Sequence, residues 1–363
     1  MIIKKRYLMI MVLIAAVCVF VLWWHSEDAP VKLVDDSGKE LTAGGEIMDD
    51  AADPFTMKFE AVKALIEARK FDEAKARLLE LIETSDYDGK ACILLCDVTR
   101  ELKDEEASVD YGLKAIELLP NSAEAHLSYA KALGMRLART SRDLAGILGA
   151  MKGINLLKEE INRVIELDPD DTEARMMLMF CNLAPWPIGD IDRAVELCGE
   201  IEARDPILGK RFLAYCLHRK KETDRAIALC LASIETYPEE TGFHLTLADI
   251  YSDEKRFSEA DVEYEAARQG EHDESYYRSL YYQALMHINN KLEPARAVEL
   301  LDVFIAAEPR DEGLPPIAYA CLRKGNALEQ LNRYAEARAA YEECFRFEPG
   351  FEPGNEAIAG LKK

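Results

Sequence analysis

The sequence predicts an all-α protein built from repeated pairs of helices. After Pro54, apolar residues recur at spacings of three and four, which is the periodicity of one helix face, and the alternating runs typical of strands are missing. Aromatic residues make up only 8% of the 363 residues, whereas Ala, Leu and Glu are abundant. That composition favours helices packed through small and aliphatic side chains over a β-sandwich.

A recurring pattern opens the second helix of several predicted pairs. It reads FDEA at 71–74, TDRA at 223–226, FSEA at 257–260 and YAEA at 334–337. Turns that contain proline recur at Pro120, Pro169, Pro238, Pro309 and Pro349. Because proline cannot continue a helix, these turns mark the ends of second helices.

These residues resemble the tetratricopeptide repeat, a 34-residue helix pair with small residues at positions 8 and 20 and proline at 32. In the last repeat, Gly325 is at position 8, Tyr334 at 17, Ala337 at 20, Tyr341 at 24 and Pro349 at 32. Position 32 falls in turn on Asp86, Pro120, Pro169, Pro206, Pro238, His272, Pro309 and Pro349. The resemblance implies an α-solenoid of about eight helix hairpins over residues 54–352, with residues 353–363 as a short C-terminal cap or tail.

Two repeats depart from the pattern. The repeat that ends at Pro169 carries about 15 extra residues, 139–153, which predict two lengthened helices with Ser141 or Asp143 capping the second. The next repeat contains APWPIG at 184–189, which predicts a rigid loop between its helices.

The N-terminal segment 1–25 predicts a transmembrane signal-anchor. An uncharged apolar run at 7–24 follows Lys4–Arg6, and as a helix it would rise about 27 Å, close to the thickness of a bilayer core. A cleaved signal would need a shorter run with an A-x-A-like site, and a lipoprotein signal would need a small residue before Cys18. The basic cluster predicts a cytoplasmic N-terminus, with the repeat domain periplasmic or extracytoplasmic and tethered to the inner (cell) membrane. The polar and acidic composition of residues 26–53 predicts a flexible spacer between the membrane and that domain.

The net charge and the motifs that the sequence lacks reduce the number of functions to be considered. A net charge of −22 repels phosphate backbones, so we expect no nucleic-acid partner. The sequence has no HExxH, no GxSxG, no phosphate-binding loop and no dinucleotide fingerprint, and its histidines are scattered singly. We therefore predict no enzymatic activity, no catalytic residues, no metal and no cofactor. Eight cysteines follow the anchor; they are either buried thiols on helix faces or partners in disulfides whose pairing the sequence leaves open.

The resemblance also implies a concave groove, lined by positions 2, 5, 9 and 12 of each first helix. The groove residues predicted in this way are Leu127, Lys131, Met176, Phe180, Leu183, Arg211, Tyr215, His218, Leu245, Tyr276 and Tyr319. Aromatic and arginine anchors in a concave surface suit a peptide or helix ligand. The alternative for each residue is packing against a neighbouring helix. Some members of the family clamp a C-terminal carboxylate, but Leu322 stands where that clamp needs lysine.

The predicted function is a membrane-tethered scaffold or assembly adaptor that binds a protein segment in the groove. The alternative is a transporter-associated or small-ligand-binding component with a pocket near the enlarged third repeat.

Overall fold

The computed structural model describes residues 54–82, 88–138, 144–184, 188–270, 272–309 and 314–361. All regular structure in these residues is α-helical, which confirms the predicted class. The helices are α1 (Pro54–Glu67), α2 (Phe71–Ile82), α3 (Asp88–Glu101), α4 (Glu105–Leu118), α5 (Ala123–Ala138), α6 (Leu144–Leu167), α7 (Thr172–Asn182), α8 (Ile191–Glu202), α9 (Pro206–Arg219), α10 (Thr223–Thr236), α11 (Gly242–Asp253), α12 (Phe257–Ala266), α13 (Glu274–Asn289), α14 (Pro294–Ala307), α15 (Ile317–Gln330), α16 (Tyr334–Phe347) and α17 (Glu352–Gly360).

The helices follow the predicted boundaries closely. The first sixteen fall into eight consecutive pairs in chain order, and α2, α10, α12 and α16 begin at the first residue of the four recurring segments. The second helices α4, α6, α10, α14 and α16 end one or two residues before the predicted prolines. The lengthened helices of the enlarged repeat are α5 and α6, whereas Ser141 and Asp143 lie outside the described residues.

The chain divides into two compact units, with the boundary between Leu197 and Cys198 inside α8. In unit 1, the helices α1 to α7 pack against one another in succession, and α3 also packs against α5. In unit 2, each helix from α9 to α17 packs against the next. There the first helices α9, α11, α13 and α15 also pack in succession, and α17 packs against α15. Each unit is therefore a stack of helix hairpins.

Small side chains allow the hairpins of each unit to close. Ala74, Ala226, Ala260, Ala297 and Ala337 each lie at the fourth residue of a second helix, and all five are fully buried. Larger buried residues fill the space between hairpins, and the core of unit 2 includes the rings of Tyr264, Tyr341, Phe243 and Phe304. Burial of these apolar surfaces drives the stacking, because a single helix pair cannot cover its own apolar face.

The turn inside six of the hairpins repeats one backbone conformation. A single residue there has positive φ, and these residues are Arg69, Lys103, Lys221, Lys255, Lys291 and Asn332. At Lys221, the N–H donates to the carbonyl of His218, and the N–H of Glu222 donates to the carbonyl of Leu217. This pair of bonds is the Schellman motif, which satisfies the last carbonyls of a first helix and turns the chain into the second.

The predicted transmembrane segment 1–25 and the spacer 26–53 lie outside the described residues. Among the residues that are described, none of the helices has the length and apolar character needed to cross a bilayer.

Candidate partner-binding face

Unit 1 contains five of the predicted groove residues. Met176 and Phe180 on α7 and Leu183 just after it are buried, whereas Leu127 and Lys131 on α5 are half-buried. Nζ of Lys131 lies 2.9 Å from Oε1 of Glu173, so this lysine forms an ion pair between α5 and α7. In unit 1, packing between helices accounts for the three buried members.

Two predicted residues of unit 2 are packed inside the stack. Leu245 on α11 is buried in the apolar core. His218 on α9 is buried, with its ring nitrogens 3.2 Å from Oγ1 of Thr223 and 3.2 Å from Oδ2 of Asp253. His218 therefore links three helices and presents little surface to a partner.

The predicted tyrosines of the later first helices lie in aromatic clusters. Tyr276 on α13 stacks on His272, with ring centroids 4.1 Å apart, and meets Tyr277 edge-on at 5.2 Å. Tyr319 on α15 is 37% exposed and meets Phe351 edge-on at 4.9 Å. Both rings keep part of their surface accessible in unit 2.

Arg211 and Tyr215 are the half-buried members of the prediction on α9. A β-carbon added at Gly242 would lie 2.6 Å from Cζ of Arg211, so the guanidinium lies directly against the first residue of α11. Thr241 makes no side-chain cap at this helix start. The Nε atom of Arg211 is buried and has no hydrogen-bond partner among the described residues. One turn along α9, the hydroxyl of Tyr215 accepts a bond from Nη1 of Arg219 at 3.1 Å.

A second arginine lies close to Arg211. Burial lowers the pKa of Arg211, and the like charge of Arg278 on α13 lowers it further. Nη1 of Arg278 donates to Oε1 of Glu274 at 2.8 Å, and its guanidinium lies 5.7 Å from the ring centroid of Tyr282. The amino end of a helix also carries partial positive charge, so the start of α11 adds to this positive region. Glu274, Glu240 and Asp273 contribute negative charge that raises the pKa of Arg211.

Asp249 on α11 completes this group. It accepts a hydrogen bond from the hydroxyl of Tyr264 at 2.6 Å. Burial raises the pKa of Asp249 to about 6, although Tyr264 and Arg278 favour its charged form. Burial likewise raises the pKa of Tyr282 to about 12. We call Arg211, Tyr215, Asp249, Arg278 and Tyr282 the α9–α13 face.

Sequence reasoning named Arg211 and Tyr215 but missed the other three residues of the α9–α13 face. The signal was present for two of them. Counting back from His272 puts Asp249 at position 9 of its repeat, and counting back from Pro309 puts Tyr282 at position 5. Arg278 falls at position 1, which the groove rule does not include.

The remaining sequence predictions about sites concern a small-ligand pocket, metal ligands and a carboxylate clamp, and the structure describes only part of the residues that bear on them. The small-ligand pocket near the enlarged repeat stays a prediction, because residues 139–143 lie outside the described part of the chain. Among the described residues, no three of His, Cys, Asp and Glu are grouped so that they could hold a metal ion. Asn326, which matches one position of the family's carboxylate clamp, accepts a bond from the hydroxyl of Tyr341 at 2.9 Å inside its own hairpin.

The helix-hairpin stacks agree with a comparison against protein families. Residues 318–351 match the tetratricopeptide repeat. This match covers the last of the predicted repeats, and it supports the interpretation of the chain as a tetratricopeptide-repeat protein. The fold suggests a protein–protein interaction scaffold.

Solved structures and curated proteins add little to this result. A tetratricopeptide repeat protein from Parabacteroides merdae is similar with a TM-score of 0.49 and 11% identity, over 84% of this chain and 97% of that one. Cut9–Hcn1, a hetero-tetramer of the APC/C, is similar with a TM-score of 0.39 and 11% identity, over 80% of this chain and 52% of that one. Neither similarity bears on function. No curated protein matches the chain in sequence.

Proposed function

We propose that the chain is a non-catalytic scaffold that binds a partner protein through the α9–α13 face. A stack of hairpins holds consecutive first helices at a fixed separation, so side chains on their common face form a preorganised surface. Four of the five side chains of the α9–α13 face are arginine or tyrosine, residue types that are enriched among the anchors of protein interfaces.

The guanidinium of Arg211 carries the proposal. Its buried Nε has no hydrogen-bond partner among the described residues, and the neighbouring Arg278 adds repulsion between like charges. A carboxylate from a partner that accepts bonds from the outer Nη atoms would offset this repulsion. Arginine binds carboxylates through its planar fork, which also fixes the direction of approach.

The partner segment inferred from this chemistry carries an acidic side chain or a terminal carboxylate beside an apolar residue. The acidic group would face Arg211, and the apolar residue would pack on the rings of Tyr215 and Tyr282. The chain as a whole has a net charge of −22, and Glu274, Glu240 and Asp273 act on Arg211, so an acidic ligand would be selected by direct contact with the guanidinium and not by the surrounding field.

A displayed library of random peptides tests the binding function. We expect the peptides selected on the full chain to be enriched in Asp and Glu. Arg211→Gln should weaken binding of a selected peptide by at least about 30-fold, since removing one partner of a buried charge pair typically costs about 2–5 kcal/mol. Fluorescence anisotropy of a labelled peptide measures this loss, and circular dichroism verifies that the variant is folded.

Arg225→Gln is the matched control, because Arg225 lies on the second helix α10 with a side chain that is 71% exposed. It should leave the affinity unchanged. Equal affinity of a selected peptide for the wild type and for Arg211→Gln would refute the α9–α13 face as the binding site.

We also propose that residues 1–25 anchor the chain in a membrane and that the repeat units lie outside the cytoplasm. The uncharged run at 7–24 after Lys4–Arg6 supports this proposal. In a bacterial host, the full chain should sediment with membranes and be cleaved by protease added to spheroplasts. A chain lacking residues 1–25 should be recovered in the soluble cytoplasmic fraction. Protection of the full chain in intact spheroplasts would reverse the proposed topology.

A further inference from the structure

Two pairs of buried thiols face each other in unit 2. Cys198 lies on α8 and Cys216 on α9, and both are fully buried. Their Sγ atoms are 3.5 Å apart, within contact distance. The two residues belong to successive hairpins, so this contact joins the end of one repeat to the beginning of the next.

The second pair lies within a single hairpin. Cys321 on α15 and Cys344 on α16 are both fully buried in the same apolar core, and the interaction with Cys344 raises the pKa of the Cys321 thiol. The second helix α16 packs against α15, so the two cysteines lie on neighbouring helices of one hairpin. Both cysteines are thiols in the structure, as are Cys198 and Cys216.

Other buried cysteines have different surroundings. Sγ of Cys96 lies 3.3 Å from the carbonyl oxygen of Ser128 and 3.7 Å from Oγ of Ser108. Burial and the charge of Glu263 raise the pKa of Cys230 on α10, and Arg211 lowers it. Facing thiols therefore distinguish the two pairs from Cys96 and Cys230, which serve as internal controls.

We infer that Cys198–Cys216 and Cys321–Cys344 are two disulfide sites, oxidised when the chain folds in the presence of a disulfide oxidant. A disulfide brings its sulfurs to about 2.05 Å, so the sulfurs of the first pair must approach by about 1.5 Å. Rotation about the side-chain bonds of the two cysteines would have to provide this approach. The new bonds would tie α8 to α9 and α15 to α16.

The oxidation is an ordinary thiol–disulfide exchange. The thiolate of one cysteine attacks oxidised glutathione, forms a mixed disulfide and releases one glutathione thiolate. The thiolate of its partner then attacks the protein sulfur of the mixed disulfide and releases the second glutathione. Two electrons pass to glutathione, and the two protons of the protein thiols end on the released glutathione molecules. The hydrogen bond with Cys216 and burial both raise the pKa of Cys198, so the exchange takes place while the chain folds and slows once the pair has packed.

Peptide mapping after refolding tests the inference. The full chain is unfolded and reduced, then refolded in a glutathione redox buffer, and remaining thiols are alkylated before digestion without reductant. We expect intact mass to fall by about 4 Da before alkylation, which is two hydrogens for each of two bonds. We expect linked peptides that join Cys198 to Cys216 and Cys321 to Cys344, with Cys96 and Cys230 alkylated.

Serine variants separate the two sites. Cys216→Ser should lose only the first linked peptide, Cys344→Ser only the second, and the control Cys230→Ser neither. Linkage of any of the four cysteines to a different partner would overturn the inference, as would full alkylation of all four in refolded wild-type protein. The wild-type map decides the matter even where a serine variant does not fold.

Discussion

The ring of Tyr341 lies directly on the backbone of Gly325. A β-carbon added at Gly325 would be 2.1 Å from Cε1 of that ring, far inside the contact distance of two carbon atoms. Tyr341 is fully buried, and its hydroxyl is bonded to Asn326 and Glu329 on α15. These contacts hold the ring in place, so α15 and α16 can pair at this distance only if residue 325 has no side chain.

Gly325→Ala should destabilise the hairpin by about 1–3 kcal/mol, because the added methyl group overpacks a filled space. Gly199→Ala is the matched control: Gly199 lies in α8, and its β-carbon would meet nothing within 4 Å. Alanine there should stabilise by about 0.5–1 kcal/mol through its better helix propensity. Urea denaturation of both variants measures the two effects, and a loss of stability in the control larger than that of Gly325→Ala would contradict the packing argument.

The turn between α9 and α10 provides a second prediction with a control in the adjacent residue. Lys221 has φ of 73°, and Lys220 has φ of −73°. Lys221→Gly should stabilise by about 1 kcal/mol, because glycine adopts the left-handed conformation without steric cost. Lys220→Gly should destabilise by about 0.5–1 kcal/mol, because glycine relieves no strain at a negative φ and raises the conformational entropy of the unfolded chain. Thermal denaturation should give shifts of opposite sign, and shifts of the same sign would contradict the role of the turn.

Asp249 predicts a pH dependence of stability. Its pKa is raised from 3.8 to about 6 in the folded protein, so the folded state holds this proton at pH values where the unfolded chain has lost it. The free energy of unfolding should therefore fall as pH rises from about 4 to about 6, by roughly 3 kcal/mol for a shift of about two units. Asp249→Asn removes this contribution while keeping an acceptor for Tyr264. Measured by urea denaturation, the free energy of unfolding of the variant relative to that of the wild type should increase from pH near 4 to pH near 7. A difference that stays constant over this range would refute the shifted pKa.

Ala260 tests the register of the repeats. It is fully buried at the fourth residue of α12, facing α11 across the hairpin. Ala260→Leu should destabilise by about 1–3 kcal/mol through overpacking. Val262→Leu on the same helix, at a position 63% exposed, should change stability by less than about 0.5 kcal/mol. An unchanged melting temperature for Ala260→Leu would place the buried face of α12 elsewhere.

Much of the fold was predictable because it is local. Small residues at a fixed interval and prolines after second helices act over a few residues. They predicted the first residue of α2, α10, α12 and α16. The left-handed conformation of Lys221 was not predicted, since no glycine or asparagine stands there to indicate it. The groove residues stay a prediction for single side chains: Leu245 and His218 are buried, whereas Tyr319 is 37% exposed.

The sequence by itself determined that this chain forms paired helices, where each pair turns, and which small residues lie between the helices. Only the tertiary structure decided which polar groups of different repeats meet, such as Arg211 with Gly242 and Arg278, and Cys198 with Cys216. The physical reason is range. Helix propensity, caps and turns depend on neighbours along the chain, whereas burial, charge interaction and thiol contact depend on distances between helices that only the packed stack sets.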